Sequence, residues 1–190
     1  MISAHRGVVV LCDANVLYKS FLRDLIMRLG LSGALRPRWT ERIHEEWTRN
    51  LLAHRPEASP AAIARTRDAM NRALPEALVT VATPGDHNLP DPGDEHVLDA
   101  AISAGASLLL SFNLSDFPVS ALPVSLKAVH PDEFLQACLE QQPQAVLSAL
   151  RSLRADLKKP PFSPNELLAA MLRADLPGFA ERLRPFRDDI

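Results

Sequence analysis

An α/β fold built on a parallel sheet, with an all-helical C-terminal extension, is what this sequence predicts, and three observations predict it. Short apolar runs, Gly7-Val8-Val9-Val10-Leu11-Cys12 and Leu108-Leu109-Leu110-Ser111, have the composition of strands buried on both faces. Apolar residues recur at helical spacing between such runs, and strands that alternate with helices require parallel pairing. From about Gln136 onward the strand pattern stops and only helical spacing remains. The chain has 190 residues, enough for one real core with a helical appendage. The expected division is residues 1–135 as an α/β domain and 136–190 as helices packed on it.

The elements follow in order. After the first strand comes Asp13-Ala14-Asn15, then Leu17, Phe21, Leu22, Leu25, Ile26 and Leu29 at helical spacing, with Gly30 as a candidate C-cap. Thr40 fits an N-cap, and Ile43, Trp47 and Leu51 give the helix behind it one apolar stripe. Ser59 and Pro60 start another helix, through about Ala73. Leu78–Ala82 reads as a strand and Thr83–Gly93 as a loop rich in Pro and Gly. A helix runs from about Pro92 to Ser103 and ends at Gly105. After 108–111 comes the polar turn Asn113-Leu114-Ser115-Asp116, then a short strand at Leu126–Val129, and Pro131 opens a helix. Further on, Leu147, Leu150, Leu153 and Leu157 form one stripe, and Leu167, Leu168, Met171 and Leu172 another. Ser163-Pro164-Asn165-Glu166 is a capping box with Pro at the first helical position.

Composition narrows the function classes. A net charge of −2 announces no global basic field, although a local basic face would suffice for nucleic acid. Cys12 and Cys138 sit in apolar segments without CxxC spacing, which argues against a zinc ribbon or redox pair. The run Val8–Cys12 is too short for a signal peptide, and no apolar stretch is long enough to span a bilayer. A soluble cytoplasmic protein is the expectation, with no membrane partner.

In open α/β sheets, ligands gather outside the carboxyl ends of the strands. Two predicted strands end in polar residues: Asp13 with Asn15, and Ser111 with Asn113 and Asp116. An Asp after a strand is more often a turn or cap residue than a ligand, so the intervening helices decide. Each helical residue turns roughly 100° about the axis. On the Thr40 helix, Glu46 lies roughly 90° from the centre of the apolar stripe, whereas Glu45 lies nearly opposite it and should face water. On the next helix Asp94 falls almost on the centre of the stripe of Val97, Leu98, Ala101 and Ile102, and Asp99 lies far round the back. A carboxylate on a buried face needs compensation. Service to its own helix terminus is the alternative account of Asp94, but Asp91, followed by Pro92, competes for the capping role. Asp13, Glu46, Asp94 and Asp116 thus converge at one edge of the sheet. Crowded carboxylates take up protons unless a cation neutralises them. Oxygen ligands suit Mg²⁺ or Mn²⁺, and the six histidines show no zinc spacing.

In Val8–Leu17 (VVVLCDANVL), Thr40–Leu51 (TERIHEEWTRNL), Asp91–Ala101 (DPGDEHVLDAA) and Ser111–Pro118 (SFNLSDFP), the chain resembles the PIN domain, especially VapC-type toxins of bacterial toxin–antitoxin pairs. The resemblance covers about Val8 to Leu135 and implies a PIN-like α/β/α sandwich. Asp13, Glu46, Asp94 and Asp116 match the family's acidic positions. Asn113 matches a frequent Asn/Asp position nearby, and Ser111 stands where the family often has Thr, keeping the hydroxyl. The division of the last role between Asn113 and Asp116 is open. The implied activity is Mg²⁺- or Mn²⁺-dependent endoribonuclease cleavage through a metal-activated water, leaving a 5′-phosphate and a 3′-hydroxyl. The resemblance also implies a small antitoxin partner and a homodimer, with transfer RNA as a family-level expectation for the substrate.

Between Arg36 and Arg72 arginines outnumber acids, and Arg36, Arg38, Arg42 and Arg49 are candidate contacts for RNA phosphates. An ordinary helix surface of Arg–Glu pairs explains them equally well. Few aromatics accompany them, so extensive base stacking on that face is not expected. Tyr18 and Phe112 lie near the site in sequence, Phe112 as a core residue. His96 and His130 read as helix-start or surface residues. Two other readings compete. A phosphotransferase of the haloacid-dehalogenase kind would use Asp13 as nucleophile, but it wants a second Asp where Asn15 stands. A non-catalytic RNA- or protein-binding PIN-like module is the other, and the presence of all four acids counts against it.

Overall fold

Strand β1 (Val8–Cys12) lies inside the sheet because all its residues but Val9 are buried. The computed structural model, which describes residues 2–82, 84–156 and 162–190, places β2 (Leu35–Arg38) on one side of it and β3 (Leu108–Leu110) on the other, with β4 (Lys127–Val129) beyond β3. Every pairing is parallel; Leu11 stands opposite Arg38 and Leu109, so the carboxyl ends of β1 and β3 finish together. The sheet is flanked by helices, as the alternation of elements predicts.

Helices α1 (Ala14–Tyr18) and α2 (Ser20–Leu31) connect β1 to β2. One continuous helix is expected here, but Lys19 leaves the helical region and splits it. Gly30 is not the cap: it lies inside α2, which ends at Ser32. A Cβ at Gly30 would stand 2.8 Å from Leu74 and 3.1 Å from Pro37, so the glycine permits close packing instead. The left-handed residue is Gly33, at φ +70.

Strand β2 is the element that hydrophobic patterning misses. Its sequence, Leu-Arg-Pro-Arg, buries only Leu35 and Pro37, and a proline is tolerated because β2 is an edge strand. The predicted strand at Leu78–Ala82 does not form. Leu78 makes one isolated bridge to Trp39, and Val79 donates to the Trp39 carbonyl at 2.9 Å. Helices α3 (Glu41–His54) and α4 (Pro60–Ala73) start where their caps predict: Thr40 accepts from the Ile43 amide and Ser59 from the Ala62 amide. Trp47 of α3 and Trp39 are fully buried.

A 3₁₀ turn at Pro92–Asp94 leads into α5 (Glu95–Ser103), and Gly105 adopts φ +59 just past its end. The stripe is broader than predicted, with 96–101 buried throughout and Ile102 exposed. The segment 84–90 covers the second side. Asp99, expected to face away, is buried beneath it and accepts from the Gly85 amide and the His87 ring, each at 2.8 Å. Glu95 accepts from the amides of His87 and Leu89, each at 2.9 Å.

After β4 come α6 (Pro131–Gln141), α7 (Pro143–Asp156), α8 (Pro164–Arg173) and α9 (Pro177–Leu183). The α7 stripe buries Leu147, Leu150 and Leu153; Leu157 and Thr83 lie outside the described residues. On α8, Leu167 and Met171 are buried, but Leu172 is exposed. The Ser163–Glu166 capping box forms. Helix α7 packs on α2, tied by Arg28, which reaches Ser152 at 2.6 Å and Asp156 at 2.8 Å. Helix α9 is clamped to α6 by Asp132, whose carboxylate accepts from the amides of Gly178 at 2.9 Å and Phe179 at 2.8 Å. Hydrogen bonds to an ionised group are stronger than neutral ones. Asp132→Ala is therefore expected to lower stability by about 2 kcal/mol in urea denaturation. An unchanged midpoint would mean that apolar packing alone holds α9.

Candidate metal centre

Asp13 sits where β1 runs into α1, and its amide donates to the Leu110 carbonyl at 3.1 Å, so the site is anchored at the β1–β3 seam. Its side chain is only 7% exposed, which matters because a carboxylate so buried must be compensated. One oxygen accepts from the Ala14 amide at 2.5 Å. The other accepts from Asn15 Nδ2 at 2.6 Å and Ser111 Oγ at 2.8 Å. The Asn15 amide also donates to Ser111 Oγ at 2.9 Å, and its carbonyl oxygen accepts from the Phe112 amide at 3.2 Å. Asn15 and Ser111 therefore fasten the ends of β1 and β3 together around Asp13. An ionised carboxylate offers about four lone-pair positions; protein donors occupy three and fix both oxygens. Burial still pushes the Asp13 carboxyl up, against the Ser111 and Ala14 bonds, and the charge of Glu46 pushes the same way.

Asp94 lies at the junction of the 3₁₀ turn and α5 and makes no capping bond. That role falls to Asp91, whose carboxylate accepts from the Gly93 amide at 2.7 Å. Freed from capping, Asp94 is pushed up to about 6 by burial, then by the charges of Asp13, Asp116 and Asp91. Glu46 is half-buried on α3 while Glu45 is exposed. Burial raises the Glu46 carboxyl, but His96, Arg42 and Arg49 outweigh it and hold it below its usual value. Arg42 Nε stands 3.5 Å from its carboxylate.

Asp13 thus feels the charge of Glu46, and Asp94 feels the charges of Asp13 and Asp116. Among the described residues no three His, Cys, Asp or Glu side chains stand close enough together to hold a metal ion as they are placed. The donor set is all oxygen, which is the chemistry of a hard divalent cation. Such a cation would relieve the repulsion that pushes Asp94 up.

The remaining candidates divide. Asp116 acts on Asp94 through its charge. Asn113 is exposed, and its backbone amide, not its side chain, donates to Ser111 Oγ at 3.0 Å. Arg42 and Arg49 lie beside Glu46. Arg36 and Arg38 lie on the edge strand and line a cavity of about 450 Å³ with Pro75 and Glu76. Phe112 is half-buried, between Lys19 Nζ, 4.9 Å from its ring centroid, and the His130 ring at 5.0 Å. His130 caps α6, accepting from the Asp132 amide.

His96 is the residue that sequence reasoning misplaces. It occupies the first turn of α5 but is buried, with Nε2 2.8 Å from Glu46 Oε1. The approach is off the line a hydrogen bond requires, and among the described residues both ring nitrogens lack a hydrogen-bonded partner. The legible signal was adjacency: His96 precedes the apolar pair Val97-Leu98 and follows Asp94 by two residues. Burial of a first-turn polar residue depends on what packs there, and that is tertiary information.

Residues 9–115 match the family model described as PIN domain. That match spans more than half of the chain, and the protein belongs to the PIN-domain family. Residues 131–185 match the model described as VapC50 C-terminal domain. A relative from Mycobacterium tuberculosis, named "Putative ribonuclease VapC50", is 38% identical over 92 residues, which are 48% of this chain and 54% of that one. The chain thus spans about half the length of that relative. No solved structure matches the chain. No helix among the described residues is long and apolar enough to cross a membrane.

Proposed function

We propose that this PIN-domain protein is a divalent-metal-dependent endoribonuclease, the toxin of a toxin–antitoxin pair, working in the cytoplasm. What supports the reading is buried Asp13 at the carboxyl end of β1, repelled by Glu46, together with Asp94, repelled by Asp13 and Asp116. The ribonuclease named among its relatives supports the RNA substrate, and the resemblance to VapC-type toxins supports the antitoxin partner. The proposed nuclease unit is residues 1–135, with 136–190 as a helical extension packed on it. A homodimer is carried over from the family resemblance.

Asp13, Asp94 and Asp116 are the proposed ligands of a Mg²⁺ or Mn²⁺ ion, with Glu46 beside them. When bound, such an ion neutralises the crowded carboxylates, polarises a phosphate and lowers the pKa of a water. Ser111 and Asn15 hold the Asp13 carboxylate in one orientation. Asp116, whose charge acts on Asp94, is the proposed holder of the role for which Asn113 also qualifies, and the Asn113 backbone amide donates to Ser111. Arg42 and Arg49, next to Glu46, are placed to meet the RNA backbone.

His96, with Nε2 2.8 Å from Glu46 Oε1, stands where the outer partner of a metal site would stand. Loss of such a partner typically weakens metal binding by about 10–100-fold. His96→Phe is expected to weaken Mn²⁺ binding within that range in calorimetric titration, with His96→Gln restoring part of it. Equal affinities for all three proteins would remove His96 from the site.

The test of the function is sequencing of cellular RNA 5′ ends after brief expression of the parent and of Asp13→Asn. New ends are expected at discrete positions with the parent alone. Identical end profiles would refute the nuclease reading and leave a non-catalytic binding module.

A further inference from the structure

Outside the acidic cluster, the molecule has a cavity of about 580 Å³ between the α1–α2 junction, the end of α3, and helices α7 and α8. That is the size of a small-molecule pocket. Three arginines line it, Arg23, Arg55 and Arg173, together with three aromatic rings, Tyr18, Phe21 and Phe162. Among the described residues no carboxylate stands within ion-pairing reach of any of the three arginines. The one acid in the wall, Asp24, is engaged by Arg28 at 3.1 Å. Lys19, also in the wall, is paired with Asp175.

Arg23 is the informative member. Its guanidinium lies over the Trp47 ring, 4.6 Å from the centroid, and Nη1 donates to the Leu17 carbonyl at 2.6 Å. A guanidinium has five N–H donors, and among the described residues one protein acceptor serves it. A partly buried cation without a counter-ion is uncompensated, and an anion in the cavity would supply what the protein does not.

The cavity also lies close to the acids. Tyr18 is five residues beyond Asp13 across α1, roughly 8 Å along a helix axis. Lys19, in the same wall, packs on Phe112, which stands between Ser111 and Asn113. From the geometry we infer that this cavity binds a nucleotide of single-stranded RNA flanking the scissile phosphate, its phosphate on Arg23, Arg55 and Arg173 and its base against Tyr18, Phe21 or Phe162. Single-stranded RNA is favoured over duplex because unstacked bases are read by aromatic rings beside cations. Phe162 and Arg173 belong to the C-terminal helical region, so that region has a role in substrate binding. The inference rests on the RNA reading of the acidic site but not on cleavage.

The test uses full-length protein carrying Asp13→Asn and a fluorescent single-stranded RNA, with binding followed by anisotropy over a range of salt. Arg55 and Arg173 are both exposed, so Arg55→Gln with Arg173→Gln should leave the fold unchanged, checked by thermal melting. Loss of two phosphate contacts should reduce the salt slope by about 1.4 and weaken binding about 25-fold at 0.1 M salt. Photocrosslinking with 5-iodouridine RNA should mark a peptide containing Tyr18, Phe21 or Phe162. Unchanged affinity and slope, or crosslinks confined to other peptides, would overturn the inference. So would unchanged RNA binding combined with lost affinity for a polyglutamate peptide, which would assign the cavity to an acidic protein segment. The two proposals fail separately. If the parent cuts no RNA but the arginine variants bind it less well, the cavity stands and the nuclease reading falls. If the parent cuts RNA and the variants bind as the parent does, the cavity falls alone.

Discussion

Asp13→Asn is expected to lower Mn²⁺-dependent RNA cleavage by more than about 100-fold while the protein melts within a few degrees of the parent. The activity loss follows from rank: removing an outer partner of a metal site costs about 10–100-fold, and a ligand should cost more. The preserved fold follows from offsetting changes at one buried group. Asparagine is the same size and keeps one oxygen, which can still accept from Ser111 and Asn15 in the place of the present Oδ2. The other oxygen becomes an NH₂ facing the Ala14 amide, and that bond is lost. Such a loss costs about 1 kcal/mol. Against it, a buried negative charge disappears, along with its repulsion by Glu46 and Asp94. The net change in stability is small, so activity and folding separate in one variant. Cleavage is read on a labelled RNA with added Mn²⁺, and folding by circular dichroism melting. Parent-level cutting by the variant, purified free of contaminating nuclease, would place the centre elsewhere.

How far the sequence led differs between the fold and the site. Strands β1 and β3 and the starts of α3, α4 and α8 were readable because their signals are local: a continuous apolar run, a cap hydroxyl, a capping box. Strand β2 was not, because an edge strand needs only alternate buried residues and tolerates Pro37. Leu78–Ala82 has strand composition, yet strand composition without a neighbour to pair with yields a single bridge at Leu78. At the candidate site, helix geometry distinguished half-buried Glu46 from exposed Glu45. It failed for Asp99, because a second layer, the 84–90 segment, covers what a single amphipathic stripe would leave in water. His96 was missed for a related reason: its burial depends on α3 lying against the start of α5. The cavity between α2 and α8 was beyond reach altogether, since its arginines and aromatics come from segments far apart in sequence.

His44→Ala is expected to cost about 4 kcal/mol at neutral pH and to remove part of the protein's acid sensitivity. His44 is wholly buried on α3 within a hydrogen-bonded network the sequence did not reveal. Trp47 Nε1 donates to His44 Nδ1 at 2.9 Å. Trp39 Nε1 donates to Asn71 Oδ1 at 2.8 Å, and His44 Nε2 stands 3.0 Å from that same oxygen. These contacts fix the tautomer: Nδ1 must accept, so the proton is on Nε2 and is donated to Asn71. The alanine leaves the Trp47 N–H buried without an acceptor, at about 1–3 kcal/mol, and adds the cavity left by the lost ring. The acid sensitivity comes from the same bonds. A second proton on Nδ1 would break the Trp47 bond. Burial drives the folded-state pKa below the ordinary 6.5, with the charges of Arg67 and Arg23 acting the same way and the Asn71 bond and Glu41 opposing. The unfolded chain therefore binds the proton at a higher pH than the folded one. The stabilising contribution of neutral His44 is complete above 6.5 and is lost as pH falls from there through the folded value. Urea denaturation at pH 8 and at pH 5 checks both parts. The parent should lose more stability over that interval than His44→Ala, so the gap between them narrows in acid. Parallel losses would mean that His44 accepts its second proton without breaking the Trp47 bond, and that the acid response arises elsewhere.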